Sequence, residues 1–214
     1  MTILLDSAII EEAKQAAQWG WVSGATTNPT LLAKSKLPPD ETLRQLARIL
    51  GGQIFYQLTG ITLEAMLGEA TLAHGILGKQ LVLKIPSNST GFQACTRLSK
   101  KYTCAVTAIY SPAQALLAQA AGAHYILYYH NRAKRLLKQG QKLAEQIVRV
   151  LDGTDSEVVA ASLKSPEEMV EARRAGVKIL SAKFTVLQTL PAHELSDKAI
   201  SEFMQTGMGL TSPK

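Results

Sequence analysis

Lys84 sits inside the apolar run Leu81-Val82-Leu83-Lys84-Ile85-Pro86. A run this short and this apolar fits a strand buried on both faces, as parallel sheets require. Burying an ammonium is costly, so such a group loses its proton or finds a partner. A lysine desolvated in this way is a usable amine nucleophile near neutral pH. The competing reading is a strand-end lysine that snorkels to water or pairs with an acid. Other candidate strands also end in polar residues: Asp6, Asn28, Gln57, Thr107, Tyr129 and Ser162. Each alone is ordinary. Asp6 suits a helix N-cap, Thr107 is a good strand former, Tyr129 suits a core, and Ser162 suits a cap. Gathered round one lysine, they supply a proton-moving carboxylate (Asp6), a weak acid (Tyr129), and two groups that orient a water or a hydroxyl (Gln57 and Thr107). Arg132 follows the sixth strand; Ser162 and Lys164 close the seventh, ahead of a helix. Arg reads phosphate bidentately, and barrel phosphate sites favour late strands and helix N-termini. A sugar phosphate with its carbonyl at Lys84 and its phosphate at Arg132 fits this set. The alternative for Arg132 is a solvated member of a basic helix.

Eight strand–helix units must position these residues. Strands are expected at 3–6, 25–28, 53–58, 81–85, 103–109, 124–129, 157–162 and 177–182. Between them, apolar residues recur at helical spacing, as in Leu43, Leu46, Ala47 and Leu50, or Leu63, Met66, Leu67, Ala70 and Ala73. Ser7, Thr62 and Ser111 are candidate caps; Pro29, Pro112 and Pro166 suit the first helical position. A basic loop and a long amphipathic helix are expected over 131–151, a short helix near 186–190, a final helix over 196–204, and a frayed tail over 207–214. Alternating strands and helices imply parallel strands with right-handed crossovers. Eight units fit a closed (β/α)₈ TIM barrel over residues 1–214, with 192–214 as an extra C-terminal helix and tail. An open doubly wound sheet is the second choice. It lacks support from any Gly-rich dinucleotide fingerprint after the first strand.

Composition sets the outer bounds. The 214 residues are 46% hydrophobic, enough for a substantial core. No apolar window approaches the ~18 residues of a membrane span, and the first residues do not look like a signal peptide, so a cytoplasmic protein is expected. Cys95 and Cys104 form neither metal-ligand spacing nor a disulfide framework. His74, His124, His130 and His193 likewise show no ligand spacing, so no metal is expected. The net charge of +6 suits an anionic partner. Basic residues are dispersed, apart from Arg132, Lys134, Arg135 and Lys138, and they are not interleaved with aromatics. A phosphorylated small molecule is therefore favoured over nucleic acid. Readings of another class are a non-catalytic sugar-phosphate-binding barrel and a basic scaffold that contacts nucleic acid.

Several motifs carry a family resemblance. Leu5-Asp6, Thr26-Thr27-Asn28-Pro29, Lys84-Ile85-Pro86, Asn131-Arg132 and Ala160-Ala161-Ser162, in this order, resemble the transaldolase family, in particular its small subgroup that includes fructose-6-phosphate aldolase. The resemblance implies a (β/α)₈ barrel, a Schiff-base lysine at Lys84 and a proton-handling aspartate at Asp6. It also implies substrate binding by Asn28 and Thr26, and a phosphate held by Arg132 and Ser162. No cofactor is implied. The implied partners are a sugar phosphate and dihydroxyacetone, with no membrane. Small members form homo-oligomers, often decamers of two pentameric rings with exchanged C-terminal helices. Three positions follow the aldolase pattern. Gln57 replaces the glutamate usual in transaldolases, Ala105 replaces an asparagine, and Tyr129 replaces a phenylalanine. Gln57, Thr107 and Tyr129 could hold a water and deliver a proton to an enamine carbon, so that dihydroxyacetone leaves free. Two segments depart from the pattern. Residues 133–141 are unusually basic, and Ala182-Lys183-Phe184 replaces an apolar ending.

Overall fold

A computed structural model describes residues 1–210. Eight parallel strands close into a barrel in sequence order. They are β1 (Thr2–Asp6), β2 (Gly24–Thr26), β3 (Gln53–Gln57), β4 (Leu81–Pro86), β5 (Cys104–Ile109), β6 (Tyr125–Tyr129), β7 (Glu157–Leu163) and β8 (Ile179–Ala182). The helices that return the chain along the outside are α1 (Ile10–Gln18), α2 (Pro29–Leu32), α3 (Pro39–Leu50), α4 (Leu63–Leu77), α5 (Ser89–Leu98), α6 (Pro112–Ala120), α7 (His130–Leu136), α8 (Leu143–Val150), α9 (Pro166–Arg174) and α10 (Phe184–Leu187). A last helix, α11 (Glu194–Thr206), follows. The architecture is the expected (β/α)₈ barrel.

The local signals explain the helix starts. The side chains of Thr62, Ser111 and Ser165 accept the amides of Ala65, Gln114 and Glu168, capping α4, α6 and α9. Proline stands in the first turn of α2, α3, α6 and α9. Gly51 ends α3 at φ 69, a left-handed conformation that glycine adopts without a Cβ penalty. Ser7 differs from expectation. Ile9 holds the N-cap position of α1, while the Ser7 hydroxyl accepts the Ile9 amide and donates to Glu12.

The segment after β6 also differs. Arg132, Lys134 and Arg135 are helical in α7 rather than looped, Lys138 falls in the turn that follows, and no continuous helix runs to residue 151. Leu137 is extended, at φ −106 and ψ 141. The backbone of Gly140 then presses on the Ala133 carbonyl, leaving no room for a side chain there, before α8 begins. The final helix starts two residues earlier than expected, capped by His193. Of the tail expected over 207–214, residues 211–214 lie outside the described residues.

Period two along the strands builds two cores. Outward-facing residues such as Leu5, Ile54, Leu83, Ile85, Val106 and Ile126 pack under the helices. Inward-facing Leu4, Phe55, Val82, Ala105, Leu127, Val159 and Ile179 fill the barrel with Tyr125 and Ala161. The next inward positions towards the C-terminal ends are Asp6, Gln57, Lys84, Thr107, Tyr129 and Ser181. The apolar layer thus supports a polar layer directly above it. Registry aligns that layer: Asp6 with Thr26, Gln57 with Lys84, and Tyr129 with Ala161.

Candidate active site at the C-terminal mouth of the barrel

Lys84 is central to the polar layer. Only 3% of it is exposed, and its Nζ donates to the Thr27 carbonyl at 2.7 Å. Burial pushes its pKa down from 10.5 to about 8, against the opposing pull of the Asp6 carboxylate. The neutral amine can keep its bond to Thr27 through one N–H and still present a lone pair. Thr27 is fixed in turn, since its amide and hydroxyl both donate to the Phe55 carbonyl.

Asp6 closes β1. It accepts the Thr26 hydroxyl at 2.8 Å, and Thr26 lies 2.6 Å from Ser181. The single Thr26 proton is committed to Asp6, so Ser181 donates to Thr26. This chain of three side chains, from β8 through β2 to β1, orients the carboxylate. Asn28 caps α2, its Oδ1 accepting the Leu31 amide at 2.9 Å, which leaves its NH₂ end for the cavity.

Tyr129 closes β6. Its hydroxyl is 3.3 Å from Thr107, which is buried on β5. Burial raises the phenol pKa, while the Thr107 hydrogen bond and the Arg132 charge lower it. The net rise keeps the phenol protonated at neutral pH and available as an acid. Arg132, three residues on, places its guanidinium 4.9 Å from the centre of the Tyr129 ring. Asn131 donates to Glu168 of α9 at 2.8 Å, and Glu168 also accepts the Lys164 amide at 2.8 Å. One buried carboxylate thus ties the start of α7 to the end of β7. That bond also occupies the Lys164 amide, so side chains rather than this amide remain to grip an anion.

The cavity holds about 440 Å³ and is lined by Asp6, Thr26, Asn28, Gln57, Lys84, Tyr129, Arg132 and Ser162, with Lys34, Lys164 and Lys183 at its rim. Every expected site residue lines it except Thr107, which sits behind Tyr129. Three contributors are not among the residues that the sequence points to. Lys34 reads as a solvated lysine beside Lys36. Ser181 was within reach of the alternation, two residues past inward-facing Ile179. The Thr27 carbonyl carries no side-chain signal. A larger open groove of about 740 Å³ lies at the opposite end, under β5 to β7, between Ser99 and Ser156. It holds none of the aligned polar layer. Among the described residues no cluster of His, Cys, Asp or Glu is placed to hold a metal ion. Among those residues, too, no helix is long and apolar enough to cross a membrane.

Comparison with solved structures supports the barrel alone. A mandelate oxidase superposes with a TM-score of 0.62 at 15% identity, covering 94% of this chain and 71% of that one. An (S)-mandelate dehydrogenase superposes with 0.61 at 14%, covering 96% and 73%. Sequence comparison is more specific. A protein from Kosmotoga olearia called a probable transaldolase is 37% identical over 208 residues, 95% of this chain and 94% of that protein. One of the same description from Symbiobacterium thermophilum is 34% identical over 96% of each. The family described as transaldolase/fructose-6-phosphate aldolase matches residues 3–211. The chain belongs to the transaldolase/fructose-6-phosphate aldolase family.

Proposed function

We propose that the chain is a class I aldolase that cleaves fructose 6-phosphate to dihydroxyacetone and glyceraldehyde 3-phosphate, and forms it in reverse. The supporting observation is Lys84: a buried amine with its pKa near 8, in a polar cavity with cations at its rim. The neutral amine attacks C2 of the open ketose, and loss of water gives an iminium. Asp6 handles the protons of that dehydration and then takes the C4 hydroxyl proton. The C3–C4 bond breaks and its electrons flow into the iminium, giving an enamine. Glyceraldehyde 3-phosphate leaves from the Arg132 and Ser162 end. Tyr129, oriented with Thr107 and acting through a water near Gln57, returns a proton to C3. Hydrolysis of the new iminium frees dihydroxyacetone and restores Lys84. Asn28 and Thr26 hold the donor hydroxyls. Covalent catalysis and positioning carry the rate.

A second reading is transaldolase activity, which the names of the relatives favour. There the enamine waits for an acceptor aldehyde. The Gln57, Thr107 and Tyr129 set favours release to water. Two measurements decide. Borohydride added with fructose 6-phosphate should leave a reduced adduct on the Lys84 peptide; an unmodified peptide removes the Schiff base. Glyceraldehyde 3-phosphate should appear with no acceptor present; strict dependence on added erythrose 4-phosphate assigns a transaldolase instead. The ring assembly expected of small members has a candidate contact in α11. It buries none of its residues and exposes Leu195, Ile200, Phe203 and Met204.

A further inference from the structure

Four cations surround one cavity: Lys34, Arg132, Lys164 and Lys183. None forms an ion pair with a carboxylate among the described residues. Asp6, the one carboxylate lining that cavity, already accepts from Thr26. A single phosphate dianion held by Arg132, Ser162 and Lys164 neutralises two of the four charges. Lys34 and Lys183 remain. They follow β8 and α2, on the β8–β1–β2 arc of the mouth, and β8 lies opposite β4, which carries Lys84.

The remaining pair have a space of their own. A second hollow of about 220 Å³ opens beside the main cavity and shares Asp6, Leu31, Lys34 and Lys183 with it. Two carboxylates, Asp6 and Glu12, line it beside the two lysines; each accepts a hydroxyl, and neither lies within ion-pair distance of Lys34 or Lys183. Both lysines stand on fixed backbone. The Lys34 amide donates to the Leu31 carbonyl at 3.0 Å, at the end of α2. The Lys183 carbonyl accepts the amides of Val186 and Leu187. The next residue, Phe184, stacks on Trp19 with ring centres 5.2 Å apart, and Trp19 stacks on Trp21. The Lys183-Phe184 departure from the family pattern thus combines an aromatic anchor with a cation at the mouth. The rim cations also sense one another: burial first, then the charge of Lys183, holds the Lys164 ammonium below its ordinary pKa.

We propose that Lys34 and Lys183 form a second anion subsite, so that the chain takes sugars with two anionic groups, a sugar bisphosphate filling both basic pairs. This rests on the reading that the first phosphate sits at Arg132. Recognition of the second group by charge-assisted hydrogen bonds needs no further residue.

Binding of hexitol 6-phosphate and hexitol 1,6-bisphosphate by calorimetry tests it, because neither ligand has a carbonyl and neither needs the Schiff base. The bisphosphate should bind roughly tenfold tighter. Lys34→Gln combined with Lys183→Gln should erase that advantage, weakening the bisphosphate about tenfold more than the monophosphate. Equal affinities for the two ligands in the unaltered chain overturn the proposal without any variant. So does a double variant that weakens both ligands alike, or one that keeps the advantage. Borohydride trapping with fructose 6-phosphate, run in parallel, reports on Lys84 alone. Its failure beside an intact bisphosphate preference would remove the aldolase reading and leave the subsite standing.

Discussion

Replacing Lys84 by Met separates the two consequences of burying an amine. The fall in pKa from 10.5 to about 8 corresponds to about 3 kcal/mol of preference for the neutral form. The unfolded chain binds this proton more tightly than the folded one. Stability contributed by this group therefore rises with pH between about 8 and 10.5, and its full penalty applies below pH 8. Lys84→Met removes that penalty and loses little volume. Urea denaturation should show the variant gaining on the unaltered chain by up to about 3 kcal/mol at pH 7, with the gain vanishing near pH 10.5. The same pKa sets reactivity. At pH 7 about a tenth of the Lys84 amine is neutral, roughly 300-fold more than for an ordinary lysine. Reductive trapping of dihydroxyacetone with cyanoborohydride should therefore rise with pH with a midpoint near 8 and level off about a unit above it. A trapping midpoint near 10.5, with a Met variant whose relative stability does not vary with pH, would refute the argument that burial activates this lysine.

Other expectations follow from the same geometry. Tyr129→Phe keeps the ring under Arg132 but removes the phenol, so steady-state, acceptor-free release of glyceraldehyde 3-phosphate beyond the first turnover should fall about 100-fold while Schiff-base trapping persists; an unchanged steady-state rate removes the role of the phenol. Arg132→Met should raise KM for fructose 6-phosphate about tenfold or more and leave that for unphosphorylated fructose nearly unchanged; equal effects on both sugars would place the phosphate elsewhere. Glu168→Gln weakens the tie between Asn131 and the Lys164 amide; stability should fall by about 1–3 kcal/mol and KM for the phosphorylated substrate should rise, with trapping intact. Ser162 has φ 60, so Ser162→Val, β-branched at a left-handed position, should cost about 2 kcal/mol in stability, whereas Ser162→Gly should fold normally and lose only phosphate affinity.

Most of the barrel was legible because its strands are apolar runs of fixed length separated by capped helices. The polar layer was legible for a related reason: inward positions alternate, so Leu4 leads to Asp6, Phe55 to Gln57 and Val82 to Lys84. The helix break after Arg132 was not. Leu143, Ala144 and Ile147 keep a helical spacing on the far side of it, and all three bury against the barrel. Two helical pieces that cover one surface preserve the periodicity a single helix would show. What betrays the break is Gly140 against the Ala133 carbonyl, a backbone contact that leaves no mark on the hydrophobic pattern.

Strict alternation fails at two strand ends, both beside the polar layer. From inward-facing Val159 it predicts Ala161 inward and Ser162 outward. The β7–β8 register slips between Ala160 and Leu163, Ser162 takes φ 60, and both Ala161 and Ser162 line the cavity. The β5–β6 register slips between Thr107 and Ile109, where Ala108 takes φ 61. Alanine and serine do not favour such backbones; a left-handed L-residue costs about 1–2 kcal/mol. Neither residue type signals a bulge, and the cost is borne at the only two non-glycine positions with positive φ among the described residues. Bulges re-aim the chain at strand ends. Here one turns Ser162 towards the expected phosphate, and the other re-aims the strand just past Thr107, the partner of Tyr129, before pairing resumes at Ile109. A relaxed β7 would keep its stability and point that hydroxyl into the helix layer. The strain is therefore what brings Ser162 to the cavity that holds Lys84.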